Sequence, residues 1–185
     1  MDTLRDHFII AMPHLTEATF DRSVVYICEH NSQGSMGLII NRPLSSAGLN
    51  LILTTLDITP NRGLEQIGDI YSGGPLQPSM GFVLHTPEYD IKDTVRISTK
   101  VSLTTNLQIM SDIQQKNGPE QFRFALGYAG WGVEQLEREI ANGDWLVVSA
   151  TPEFIFDKPD AIKWADAARR FGIEITQFSG LGGSA

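Results

Sequence analysis

The stretch RSVVYICEH, residues 22–30, carries the sole cysteine of the 185-residue chain, two positions before one of its four histidines. A thiolate is a nucleophile, and a neighbouring imidazole can serve as its general base. In a regular strand Cys28 and His30 share a face, but residues two apart are separated by about 6.6 Å along the backbone. Because that distance is long for a thiol–imidazole hydrogen bond, His85 on another strand is the alternative base. The competing interpretation is that Cys28 is a buried small hydrophobe.

Two further segments carry groups that can bind an anion. In INRPL, Arg42 precedes Pro43, which favours extended backbone, and its guanidinium can clamp a carboxylate or phosphate. In YSGGPL, the backbone amides of Gly73 and Gly74 can form an anion nest, and Pro75 stiffens the turn. The alternatives are a surface or internally paired arginine and a tight connection without a ligand.

A third segment, LGYAGWG, lies between a predicted strand and a predicted helix. Its glycine order is not the dinucleotide-binding spacing, and Glu134 and Glu137 already occupy the positive end of the helix dipole. The segment therefore predicts packing, with Tyr128 and Trp131 as core or cleft-edge aromatics. The sequence also lacks the motifs of zinc proteases, dithiol redox proteins and serine hydrolases, so it predicts neither a metal site nor a cofactor.

Hydrophobic periodicity and turn residues predict many strands with helices between only some of them. Predicted strands cover residues 7–12, 22–30, 35–41, 67–71, 81–85, 94–99, 122–130 and 144–150, with a weak strand or coil after residue 173. Predicted helices cover residues 45–58, 107–116, 131–143 and 159–172. Because short turns join several strand pairs, the pattern indicates an α+β fold with a mixed, largely antiparallel sheet.

The composition is that of one globular domain, which we place at residues 1–185 with a frayed tail from about residue 179. The chain is 42% hydrophobic and 19% charged, with a formal net charge of −8. This charge argues against a nucleic-acid partner, because such proteins carry a basic surface. A single cysteine forms no internal disulfide, and no apolar run approaches the ~20 residues that span a bilayer. With no signal-peptide pattern, the sequence predicts a cytoplasmic protein without membrane contact.

Four segments together resemble the AlgH/YqgE family of bacterial proteins, which is largely uncharacterised. They are FIIAMPHL, RSVVYICEHNSQGSMGLIINRPL, SGGPLQPSMGFVLH and LGYAGWGVEQLEREIANGDWL, and the resemblance covers residues 4–146. It implies an α+β fold with a bifurcated sheet, part of which closes into a small barrel, flanked by helices. The family's motif positions fall on Cys28, His30, Asn41, Arg42, Gly73, Gly74, Pro75 and His85.

Two functional hypotheses follow for these residues, and we favour the first because no catalytic set is complete. In the first, a binding or regulatory domain holds a small anionic ligand or a protein partner at Asn41, Arg42, Gly73, Gly74 and Pro75. In the second, an enzyme uses the Cys28 thiol as nucleophile or redox centre, with His30 or His85 as base. A third reading, transcriptional regulator, is a label that some family members carry, and the acidic charge and missing helix-turn-helix pattern give it little support.

Overall fold

The structure is a computed structural model that describes residues 3–47 and 68–170. Most of the predicted helix over residues 45–58, the weak strand or coil after residue 173 and the tail from about residue 179 lie outside the described residues. The described part contains nine strands and four helices. Their order is β1 (His7–Ala11), β2 (Val24–Asn31), β3 (Gly34–Ile39), β4 (Ile70–Ser72), β5 (Leu76–His85), β6 (Thr94–Arg96), β7 (Ser102–Thr104), α1 (Gln108–Gln114), β8 (Phe122–Trp131), α2 (Gln135–Ala141), β9 (Trp145–Ser149), α3 (Pro152–Phe156) and α4 (Asp160–Arg170).

Strand β8 organises one mixed sheet with the order β6-β7-β5-β8-β3-β2-β1-β9, and β4 is attached to β8 beside this path. One edge of β8 pairs with β5 in antiparallel fashion. The other edge divides: β4 pairs in parallel with residues 124–126, and β3 pairs antiparallel with residues 129–131. The expected α+β fold with a largely antiparallel, bifurcated sheet is therefore confirmed.

The small closed barrel that the resemblance implies is wrong. Strands β6 and β9 end the path, and among the described residues neither pairs with the other. The sheet curls into a half-barrel that stays open between these two strands.

Side-chain alternation along the strands separates the buried side chains into clusters, two of which meet at β2, while a third, of Ile70, Val83, Ile109 and Phe124, lies under α1. In β2, Val24, Tyr26 and Cys28 face one layer, here called the larger core, whereas Val25 and Ile27 face the other, here called the smaller core. Helices α3 and α4 cover the larger core, and α2 covers the smaller one. Both faces of β2 are buried, and full burial of each aliphatic side chain contributes about 2 kcal/mol, so this alternation fixes which side chains enter each core.

A buried cluster of charged and phenolic groups anchors α4 to the sheet. Lys163 is fully buried, and its ammonium pairs with Asp160. Asp160 accepts a second hydrogen bond, of 2.8 Å, from the Tyr71 hydroxyl, and the Arg123 guanidinium bonds to the same hydroxyl. Burial lowers the pKa of Lys163, and the Asp160 carboxylate opposes that effect. The cluster is satisfied internally and lies away from any opening described below.

The bifurcation depends on two glycines that precede β5. A Cβ added to Gly73 would lie 2.3 Å from the Gly127 carbonyl oxygen, and one added to Gly74 would lie 2.1 Å from the Tyr128 carbonyl carbon. Gly74 also has a φ of +153°, which side chains disfavour. Only glycine therefore lets this segment lie directly against β8.

We expect Gly74→Ala to destabilise the protein by about 3 kcal/mol or more, because backbone atoms of β8 cannot yield to the added methyl group. Gly143→Ala is the matched control: Gly143 also has a positive φ, but its added Cβ would meet nothing within 4 Å. That control is expected to cost about 1 kcal/mol. Urea unfolding midpoints measure both, and equal losses for the two variants would contradict the close-contact argument.

Candidate functional site

A cleft of about 690 Å³ opens where the β2–β3 hairpin, β5 and β8 meet. It lies on the face of the sheet that carries the larger core. Its apolar lining consists of Met36, Leu76, Met80, Phe82, Leu103, Tyr128 and Trp131, and its polar lining of Glu29, Asn31, Gln33, Ser35 and Gln77. The volume is within the range of small-molecule and side-chain binding sites, and the apolar lining resembles that of such sites.

The floor of the cleft follows from the register between β3 and β8. Met36 of β3 pairs with Gly130 of β8, so both face the cleft. Because Gly130 has no side chain, the Leu76 and Tyr128 side chains lie directly over it, and an added Cβ there would lie 2.9 Å from the Leu76 Cδ1 atom. Leu76 is 43% exposed and Met80 is 38% exposed. Two large apolar side chains thus stand at the opening without a cover.

An irregular segment of β5 forms one wall. Between Leu76, which pairs with Tyr128, and Gly81, which pairs with Leu126, the register shifts. Residues 77–80 are all exposed, and Gln77 has a φ of +44°. Pro78 lacks an amide for a ladder bond, so the chain arches away from β8 and carries Met80 to the cleft.

The far end of β8 is held by a carboxylate on α2. Glu139 Oε2 accepts hydrogen bonds from the indole nitrogens of Trp131 and Trp145, each at 2.9 Å. Trp131 is buried in the smaller core and also lines the cleft. The expectation that Tyr128 and Trp131 are core or cleft-edge aromatics agrees with both positions.

The expectation that Cys28 and His30 share a face is wrong. A β-bulge between Ile27 and Glu29 shifts the register of β2 against β3. Beyond the bulge Glu29 pairs with Met36, and His30 pairs with Ser35. Glu29 therefore turns to the cleft face, while His30 turns to the opposite face.

His30 lies between the hairpin and α2 on that opposite face. Its Nδ1 is 3.0 Å from Ser35 Oγ, and its Nε2 is 3.6 Å from Glu137 Oε1. These contacts tie the β2–β3 hairpin to the helix. The His30 side chain does not line the cleft, and within the described residues no hydrogen bond joins it to the Cys28 thiol.

Cys28 lies in the larger core and is 3% exposed. Its thiol donates a 3.6 Å hydrogen bond to the Tyr26 carbonyl oxygen. Burial raises the pKa of the Cys28 thiol far above its ordinary value, and the charge of Arg5 only partly opposes this. Such a thiol stays protonated and unreactive near neutral pH.

His85 is also buried, at the junction of β5 and β7. Its Nδ1 lies 2.9 Å from the Thr86 carbonyl oxygen, which can only accept, so Nδ1 carries the proton. Nε2 then accepts a 2.8 Å hydrogen bond from the Thr104 hydroxyl. Burial lowers the pKa of His85, in keeping with a neutral ring that uses both nitrogens.

Asn41 and Arg42 hold backbone rather than an open cleft. Asn41 Oδ1 accepts from the Val24 amide, and Asn41 Nδ2 donates to the Arg22 carbonyl, both at 2.9 Å. The Arg42 guanidinium donates to the carbonyl oxygens of Ala18, Thr19 and Asp21. The pair thereby fixes the loop that leads into β2.

In the glycine pair predicted to bind an anion, both backbone groups of Gly73 are bonded within the sheet. The Gly73 amide donates to the Leu126 carbonyl at 2.8 Å, and the Gly73 carbonyl accepts from the Ile39 amide at 2.9 Å. Gly74 lies against Tyr128, as described above, and Pro75 is exposed. Neither these residues nor Arg42, Cys28, His30 and His85 line the cleft.

The residues that line the cleft belong to the same sequence motifs as the predicted site residues, but they occupy other positions in those motifs. Glu29 belongs to the CEH stretch, Leu76 and Met80 to SGGPLQPSM, and Tyr128 and Gly130 to LGYAGWG. Exposure of Leu76 and Met80 could not be read from the sequence, because it depends on the arch of β5. Within the described residues there is no group of three or more side chains suited to a metal ion, and no helix long and apolar enough to cross a membrane.

Comparison with known proteins places these features in a bacterial family. The family described as DUF179, AlgH-like, matches residues 8–176. The chain belongs to this family. A UPF0301 protein from Shewanella loihica is 41% identical over 186 residues, which cover 100% of both chains. The UPF0301 protein YqgE of Shigella boydii is 41% identical and covers 98% of this chain and 99% of its own.

A solved AlgH-like structure shares the fold. The solution structure of the AlgH protein from Pseudomonas aeruginosa has a TM-score of 0.77 at 38% identity, covering 99% of this chain and 96% of that one. The resemblance stated from the sequence motifs is therefore confirmed. The family description and the names of these relatives state no activity.

We expect Cys28 to resist iodoacetamide in the folded protein, because the thiol is buried and its pKa is raised. Alkylation between pH 7 and 9.5 should follow the rate of unfolding rather than the titration of a free thiol near ~8.5. Addition of urea should make the reaction fast. Rapid stoichiometric labelling of the native protein at pH 7 would contradict this placement of Cys28.

We expect the free energy of unfolding to fall as the pH drops below about 6.5. Below that pH His85 binds a proton in the unfolded chain, whereas in the folded protein burial lowers its pKa and keeps the ring neutral. The contribution of one such histidine is at most about 1.4 kcal/mol per pH unit. Urea unfolding at several pH values measures the slope, and His85→Gln should reduce it. An unchanged slope in that variant would show that His85 is not the group responsible.

Proposed function

We propose that this AlgH-like protein is a binding protein without a catalytic reaction of its own, and that its cleft holds an apolar segment of a protein partner. The observation that carries the proposal is the pair Leu76 and Met80, exposed at the opening of a cleft with an apolar floor. Large apolar side chains gathered around an opening mark binding surfaces more often than isolated ones do.

The lining favours an apolar occupant over a small anion. Among the described residues that line the cleft, Glu29 is the charged one, and there is no lysine, arginine or histidine. An anionic ligand would meet this carboxylate without a compensating cation. Arg42, which the sequence offers as the anion clamp, has its guanidinium engaged by three carbonyl groups.

The two methionines that line the cleft favour a partner segment whose apolar side chains differ in shape. Met36 and Met80 lie on opposite sides of the cleft, one on β3 and one on the arch of β5. Methionine is unbranched and polarisable, so it adapts to differently shaped apolar groups and is frequent at peptide-binding surfaces. An open cleft with such walls suits side chains of a peptide segment.

The thiol-enzyme alternative receives no support from the same geometry. Cys28 has a raised pKa and lies within the larger core, while His30 faces the opposite side of β2 and His85 is bonded through both ring nitrogens. A nucleophile and base within hydrogen-bond reach are what that chemistry requires.

A titration with a capped leucine–glutamine peptide tests the proposal. The chain has five methionines, and Met36 and Met80 are the two that line the cleft. With ¹³C-labelled methionine methyl groups, we expect the signals of Met36 and Met80 to shift on addition of the peptide. The signals of Met12 and Met110 should stay in place.

A pair of matched variants locates the binding surface. Leu76→Ser with Met80→Ser should weaken peptide binding by roughly tenfold, because both exposed walls are lost. Val133→Ser removes an apolar side chain that is 57% exposed but does not line the cleft, and it should bind as the wild type does. No methyl shifts, or equal weakening in both proteins, would overturn the proposal.

A further inference from the structure

We infer that the segment in the cleft carries a lysine or arginine side chain, which Glu29 receives at the cleft rim. This inference rests on the proposed binding function and specifies the chemistry of the partner.

The bulge in β2 is what brings an acidic group to the apolar cleft. Without it, alternation from Cys28 would direct His30 to the cleft face and Glu29 to the face of the smaller core. The register shift after Ile27 reverses this order, so that Glu29 stands opposite Met36. Bulges commonly redirect a side chain beside a functional site.

The Glu29 carboxylate is held in place by its own hairpin. Asn31 Nδ2 donates a 2.7 Å hydrogen bond to Glu29 Oε1. The Asn31 side chain is fixed in turn, because its Oδ1 accepts a 2.7 Å bond from the Gln33 amide in the turn. Glu29 is exposed, and its Oε2 accepts no hydrogen bond from the described residues, so it is open to solvent or to a donor from a partner. One oxygen is therefore used to position the group, and the other is left for a donor from outside.

The protein's own cations leave Glu29 uncompensated. None of the ion pairs within the described residues includes Glu29. The charge of Arg5 acts on Cys28, the residue before Glu29. The Arg5 guanidinium, however, donates its hydrogen bonds to the carbonyl oxygens of Ile97 and Arg96. An unpaired carboxylate beside an apolar surface selects an occupant with a positive charge.

The aromatic walls suit the same occupant. Tyr128 and Phe82 line the cleft with their rings edge to face, at a centroid distance of 5.7 Å. An ammonium or guanidinium group can lie over such a ring, and the methylene groups of its side chain pack on apolar surface. A lysine or arginine therefore matches both the carboxylate and the walls.

The test compares three capped peptides that share their leucines and differ at one position, which is lysine, glutamine or glutamate. Methionine methyl signals report binding to wild-type protein, Glu29→Gln and Glu17→Gln. Glu17 is an exposed acid that does not line the cleft, so it is the matched control. Unchanged signals of Met12 and Met110 verify that each variant remains folded.

We expect the wild type to prefer the lysine peptide over the glutamine peptide by about fivefold, the upper range for a partly screened ion pair. Glu29→Gln should abolish the preference, whereas Glu17→Gln should keep it, and added salt should reduce it. Equal binding of lysine and glutamine peptides to the wild type, or a preference that survives Glu29→Gln, would overturn this inference and leave the proposed function standing. Absence of binding by all three peptides would overturn both.

Discussion

The direct contact between the glycine pair before β5 and the backbone of β8 is the constraint on which the rest of the structure depends. Gly73 bonds to the Leu126 carbonyl and to the Ile39 amide, so it joins β8 to β3 at the point where the sheet divides. Gly74 lies against Tyr128 with no room for a side chain. Because the chain passes so close to β8, β5 begins beside Tyr128 and must arch before it pairs again at Gly81.

The cleft follows from that constraint together with two local irregularities. The arch of β5 carries Met80 and Leu76 to the opening of the cleft, where both side chains are exposed. The bulge in β2 exchanges the faces of Glu29 and His30. The proposed partner chemistry, apolar with a positive charge, is the complement of these three features. Each feature departs from regular sheet geometry, as expected where a sheet serves binding as well as folding.

The sequence predicts the fold class, most strands and the family, because alternation and turn residues are local signals. It does not predict β7, whose three residues are too few to show a period, or the start of β5, where Pro78 argues against a strand. The functional roles assigned to Cys28, Arg42 and Gly73 rest on residue type, and in the structure these side chains and amides serve the core and the backbone. The faces of Glu29 and His30 are set by a bulge, which a simple alternation rule cannot foresee.

The measurement that tests the account most directly is a set of isotope-filtered nuclear Overhauser contacts between the protein and a bound leucine–lysine peptide. We expect contacts from the peptide's leucine methyl groups to the methyl groups of Met36 and Met80 and to the ring of Tyr128. Contacts that instead map to apolar side chains elsewhere, such as Val133 or Ile162, would contradict it, because the cleft would then not be the binding surface.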